Sequence, residues 1–151
     1  MSDQPDPYET ELRLERRIQA SAEELYEAWT SAELFKRWWH AARDWETPFA
    51  EVDARVGGRV RITMRNPADG KEYGGSGEYT ILDRPNRLAF TWTWDDDEER
   101  RRQLIEVELL PQGDNDTLVV LTHKGLPEGE TADYREGWDA SFDNLEAALA
   151  S

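Results

Sequence analysis

The sequence predicts a single α+β domain: a curved antiparallel sheet of about seven strands wrapped around a long C-terminal helix, with two short helices after the first strand. Three observations carry this. Trp138, Phe142, Leu145 and Leu149 follow one another at steps of four, three and four, which stacks them in one apolar stripe of a helix from Thr131 to Ala150. Between residues 49 and 124 the apolar residues instead recur at every second position, in runs separated by turn residues. Between residues 18 and 39 the period changes, and two capping patterns mark the short helices.

Taken in order, residues 1–9 are expected to be a disordered tail, and residues 10–151 one domain. Leu12, Leu14 and Ile18 lie on one side of an alternating run, as in a strand with one buried face. Ser21 with Glu24 forms a capping box that opens a helix whose stripe is Ala22, Leu25, Tyr26 and Trp29. Thr30 with Glu33 repeats the pattern, and Leu34, Phe35, Trp38 and Trp39 are the apolar positions of the second short helix. A polar loop is expected from His40 to Pro48.

The strands then follow without interruption. Residues 49–54 and 59–66 form a hairpin, the pair Gly57-Gly58 supplying the positive-φ freedom of its turn. Val60, Ile62 and Met64 alternate with Arg59, Arg61, Thr63 and Arg65, giving one apolar and one basic face. After the turn Pro67 to Gly70 comes a strand in which Gly77, Tyr79 and Ile81 share a face. Leu88, Phe90, Trp92 and Trp94 line one side of the most aromatic strand. Ile105, Val107 and Leu109, then Val119, Leu121 and His123, continue that inner face on the last two. The helix buries its stripe against this surface. Asp139, Asp143, Asn144 and Glu146 are assigned to its other faces, and small Gly137 and Ser141 beside the stripe leave room for close approach. Burying each large stripe residue contributes roughly 1.5 to 3 kcal/mol, so the helix requires a broad apolar partner.

Composition narrows the function. With no cysteine, disulfides, thiolate metal sites and thiol nucleophiles are excluded. No apolar run approaches the roughly 20 residues that span a bilayer, and the polar, acidic start carries no export signal, so a cytoplasmic protein without membrane insertion is expected. A net charge of −15, from 33 acidic and 18 basic residues, repels nucleic acid. The Asp95 to Glu99 and Arg100 to Arg102 blocks are expected to neutralise one another at a hairpin tip.

No catalytic motif stands out: there is no HExxH, GxSxG or P-loop, and Gly74-Gly75-Ser76-Gly77 precedes no helix that would give it phosphate-binding geometry. No catalytic residue, metal ligand or cofactor is assigned. Of the two histidines, His40 is expected at the surface, with the cavity mouth as the alternative, and His123 points inward. There it either anchors a ligand or is satisfied by a core neighbour such as Tyr79. Glu51, Asp53 and Arg55 share one side of a strand and are expected to pin the hairpin by pairing, and Arg59, Arg61 and Arg65 to meet acids on adjacent strands.

The aromatic inner face is the strongest functional feature. Tyr79, Phe90, Trp92, Trp94 and Trp138 offer large apolar surfaces with few polar atoms, which suits a flat, mostly apolar molecule. With His123, Gly137 and Ser141 they form the candidate ligand-binding set. The rings either line a cavity or pack it solid.

The ordered set of Ala28-Trp29-Thr30, Leu34 to Trp39, Glu51 to Gly58, Gly77-Glu78-Tyr79, Pro85 to Leu88, Leu121-Thr122-His123 and Gly137-Trp138 resembles the activator of heat shock protein 90 ATPase homologue-like family. That family belongs to the SRPBCC superfamily, whose helix-grip fold is shared with birch-pollen-allergen-like proteins, StAR-related lipid transfer domains and polyketide cyclases. The resemblance implies a hydrophobic cavity between sheet and C-terminal helix. Fold membership does not fix chemistry. The leading expectation is therefore non-enzymatic binding of a small apolar or amphipathic molecule. The alternatives are a chaperone-associated module with a protein partner, and a cyclase- or hydratase-like enzyme using His123 and an acid such as Glu51.

Overall fold

Period-two alternation decides which side of each strand is dry, and one transverse row displays the result. Leu12, His123, Ile105, Phe90 and Tyr79 are consecutive cross-strand partners on five neighbouring strands, and all five are buried. A computed structural model describes residues 10–150. The tail expected over residues 1–9 lies outside the described residues. The chain runs β1 (Glu11–Ile18), α1 (Ala22–Ala28), α2 (Ala32–Trp38), β2 (Glu46–Val52), β3 (Arg59–Arg65), β4 (Glu72–Asp83), β5 (Arg87–Trp94), β6 (Gln103–Gly113), β7 (Asp116–Lys124) and α3 (Thr131–Ala150). The seven strands form one sheet in the order β1-β7-β6-β5-β4-β3-β2, antiparallel throughout. The first strand thus closes beside the last, and the meander between them follows sequence order. This is the α+β helix-grip arrangement.

Local chemistry explains the ends of the elements. Ser21 and Glu24 form the expected capping box on α1. On α2 the cap is Ser31 and not Thr30: the Ser31 hydroxyl accepts from the Leu34 amide, and Thr30 Oγ1 donates back to the Tyr26 carbonyl. Two adjacent hydroxyls compete for one cap, and the chain satisfies the end of α1 with the first and the start of α2 with the second. β2 begins inside the expected polar loop, at Glu46, with a register shift before Phe49. In its turn only Gly57 takes a positive φ, +84°. Gly58 is required instead for closeness, since a Cβ there would collide with the Asp53 carbonyl oxygen. A further irregularity between Tyr79 and Ile81 breaks the face that Gly77, Tyr79 and Ile81 were expected to share, leaving Tyr79 buried and Ile81 half-buried.

α3 packs by the predicted stripe, with Trp138, Phe142 and Leu145 buried and Leu149 half-buried against the core. Asn144, assigned to a polar face, is also buried, because its amide and the Ser141 hydroxyl both donate to the His40 carbonyl at the end of α2. The other side of α3 is tied to β1: Arg16 donates to Asp143 at 2.7 Å, lies 3.7 Å from both Asp139 and Glu146, and caps the Phe142 ring at 5.5 Å. Of the basic row on β3, Arg65 meets acids on the two neighbouring strands, Glu46 on β2 and Glu72 on β4, whereas Arg61 pairs with Asp95 just beyond the end of β5; Arg55 pairs with Asp53. Among the described residues no helix is long and apolar enough to cross a membrane.

Candidate functional site

Large rings meet where α3 crosses the sheet, and they leave space. Trp39 is the hub, with its ring centroid 5.0 Å from that of Trp92 on β5 and 5.3 Å from that of Trp138 on α3. Beside this contact lies a cavity of about 200 Å³. Met64, Trp92, Trp94, Ile105 and His123 form its sheet side, and Tyr134, Gly137, Trp138 and Ser141 its helix side. Trp39, His40 and Ala41 close one end, and exposed Asp133 stands at the rim. Two glycines make the shape possible. A Cβ on Gly75 would stand 2.5 Å from Trp92 Cζ2, so its absence lets the indole lie across β4, while a Cβ on Gly137 would meet nothing within 4 Å.

The polar atoms at the site form one directed chain. An indole nitrogen can only donate, so the 2.9 Å bond from Trp138 Nε1 makes His123 Nδ1 an acceptor and places the imidazole proton on Nε2. That N–H donates to Gln103 Oε1 at 2.6 Å, which turns the Gln103 amide nitrogen toward the Tyr134 hydroxyl at 3.2 Å. Reversing the amide would require both imidazole nitrogens to accept, and a neutral ring cannot do that. Trp94 Nε1 donates to the same hydroxyl at 2.9 Å. Burial pushes His123 down to about 3 and raises Tyr134, so both are neutral at physiological pH.

His40, expected at the surface, is buried, and burial lowers its pKa. Thr47 donates its hydroxyl proton to the Trp39 carbonyl, so the 3.1 Å contact makes His40 Nδ1 the donor to Thr47 Oγ1. Packing of α2 against β2 and α3 encloses it, a consequence of topology and not of the local loop composition.

Of the predicted set, Trp92, Trp94, His123, Gly137, Trp138 and Ser141 line the cavity. Tyr79 and Phe90 do not. They lie behind it, Phe90 against Trp29 and Trp39, and Tyr79 donating its hydroxyl to the Trp29 carbonyl at 2.8 Å. His123 is satisfied by Gln103 and Trp138, and Tyr79 is not its partner. Sequence reasoning missed Tyr134 and Gln103. Tyr134 stands four residues before Trp138, so extending the stripe back one turn reaches it; no periodicity marks Gln103. Among the described residues no three acidic or histidine side chains converge in a way that would hold a metal ion.

A family model described as Activator of Hsp90 ATPase homolog 1-like protein matches residues 19–150. The chain belongs to this family. That family falls in the SRPBCC superfamily, and the fold recurs in solved structures. A family protein from Silicibacter pomeroyi is similar with 29% identity and a TM-score of 0.80, over 93% of this chain and 98% of that one. A Chromobacterium violaceum protein has a TM-score of 0.81 at 23% identity, over 91% and 96%. A Plasmodium falciparum protein described as an HSP90 activator has a TM-score of 0.73 at 24% identity, over 93% and 96%. These last two likenesses concern the fold alone. Comparison with curated proteins gives no match.

Proposed function

We propose that this chain binds a small apolar or amphipathic molecule, without transforming it, in the space between the sheet and α3. The observation that supports this is the cavity walled by Trp39, Trp92, Trp94, Ile105 and Trp138 and left open at Gly137. A void of about 150 Å³ lined by apolar side chains accommodates a benzene ring. At about 200 Å³ this one suits a single substituted ring, or the ring end of a longer molecule whose remainder leaves past Gly137. Burying a ring of that size against indole faces is favourable by a few kcal/mol. The test is a titration of intrinsic tryptophan fluorescence with a panel of lipids, sterols and aromatic polyketides. Saturable quenching by at least one class supports the reading, and a flat response across the panel opposes it.

A second reading, a protein-interaction module associated with a chaperone, draws on the family and on the Plasmodium relative described as an HSP90 activator. Phe49 and Val56, on the β2–β3 hairpin, are 42% and 65% exposed and offer apolar contact outside the cavity. Stimulation of an Hsp90 ATPase by the chain, abolished by Phe49→Ser with Val56→Ser, would favour it; no stimulation would oppose it. That both nitrogens of His123 are engaged and the ring is buried neutral favours binding over the cyclase or hydratase reading.

A further inference from the structure

The chain of hydrogen bonds that begins at Trp138 has a defined end. Each group along it is fixed by the one before: the indole forces the tautomer of His123, His123 the orientation of Gln103, and Gln103 the role of Tyr134. At Tyr134 two donors converge on one phenolic oxygen, Trp94 Nε1 at 2.9 Å and Gln103 Nε2 at 3.2 Å. A hydroxyl carries two lone pairs and one proton, and here both lone pairs are engaged. The proton is what remains, and no described residue accepts it. A ligand oxygen that accepts this proton completes the hydrogen bonding of the Tyr134 hydroxyl.

We infer that Tyr134 is the polar anchor of the cavity and that the ligand is a small neutral aromatic carbonyl compound whose oxygen accepts the Tyr134 hydroxyl proton. Neutrality follows from charge: Asp133 stands at the rim, and the chain carries a net −15, both of which disfavour a carboxylate. Ring size follows from the volume. The inference rests on the cavity-binding reading above and adds to it the class of molecule and the residue that selects it. His123, the expected anchor, acts one step back, as a positioning residue that keeps Gln103 turned toward Tyr134.

The test uses three probes of nearly one shape on the whole chain: acetophenone, α-methylstyrene, in which a methylene replaces the carbonyl oxygen, and benzoate. Affinities are measured by fluorescence for wild type and Tyr134→Phe. The expected result is that the substitution weakens acetophenone about fivefold to tenfold, leaves α-methylstyrene within about twofold, and that benzoate binds wild type more weakly than acetophenone. An infrared spectrum of acetophenone bound to wild type supplies a reading independent of the variant, its carbonyl stretch falling below the value in hexane. Equal loss for acetophenone and α-methylstyrene, a hexane-like stretch, or tighter binding of benzoate overturns the inference while leaving the cavity reading intact. Failure of acetophenone and α-methylstyrene alike to bind wild type overturns both.

Discussion

Trp138 on α3 and His123 on β7 are joined by a 2.9 Å hydrogen bond from the indole nitrogen to the imidazole Nδ1. This contact fastens the helix to the sheet at the cavity wall and fixes which nitrogen of His123 carries the proton. Removing the indole while keeping a ring, as in Trp138→Phe, leaves a buried acceptor without a donor. The expected cost is about 1 to 3 kcal/mol in urea unfolding. Nitrogen NMR of wild type is expected to show a neutral His123 with its proton on Nε2.

Acid should weaken the fold through the same residue. A free imidazole titrates near 6.5, and burial pushes His123 down to about 3, so between these values the unfolded chain binds a proton that the folded chain refuses. Stability is therefore complete above about pH 6.5 and falls as pH drops toward 3, by up to about 1.4 kcal/mol per pH unit. Burial shifts His40 in the same direction. Unfolding midpoints measured from about pH 7 to about pH 4 are expected to fall less steeply for His123→Gln than for wild type.

Gly137 offers a separation of stability from binding. A Cβ there meets nothing, and the residue lies inside a helix, so Gly137→Ala is expected to raise stability by about 1 kcal/mol. Gly137→Phe projects a ring into the cavity mouth. It should retain the wild-type circular dichroism spectrum and lose fluorescence quenching by apolar probes.

Arg16 should show a salt-sensitive contribution. Its guanidinium serves Asp139, Asp143 and Glu146 at once while lying over Phe142. Arg16→Met keeps an apolar stem over the ring but removes the charge, with an expected loss of about 1 kcal/mol at low salt that shrinks toward zero near 1 M salt.

The fold was legible because alternation and stripe are local: Leu88 to Trp94, Ile105 to Leu109 and Trp138 to Leu145 each declare a face within a few residues. The helix ends were less so, since Thr30 and Ser31 are equally able caps and only the geometry of α1 chooses between them. The site was half legible. Trp92, Trp94 and Trp138 follow from periodicity, and Tyr134 lies one turn before Trp138 on the same stripe, but Gln103 reaches His123 across a sheet pairing 20 residues apart that no local pattern marks. Tyr79 and Phe90 face inward as expected and are covered by Trp29 and Trp39, which residue spacing within β4 and β5 cannot reveal.

The seven indole N–H resonances distinguish the cavity from the rest of the molecule in one spectrum. Titration of the isotopically labelled chain with α-methylstyrene is expected to shift Trp39, Trp92, Trp94 and Trp138, whose rings line the space, and to leave Trp38, bonded to the Ala28 carbonyl, and Trp45, stacked on Tyr73, in place. Resonances that all stay fixed, or that move only at Trp45, would contradict a ligand seated between the sheet and α3.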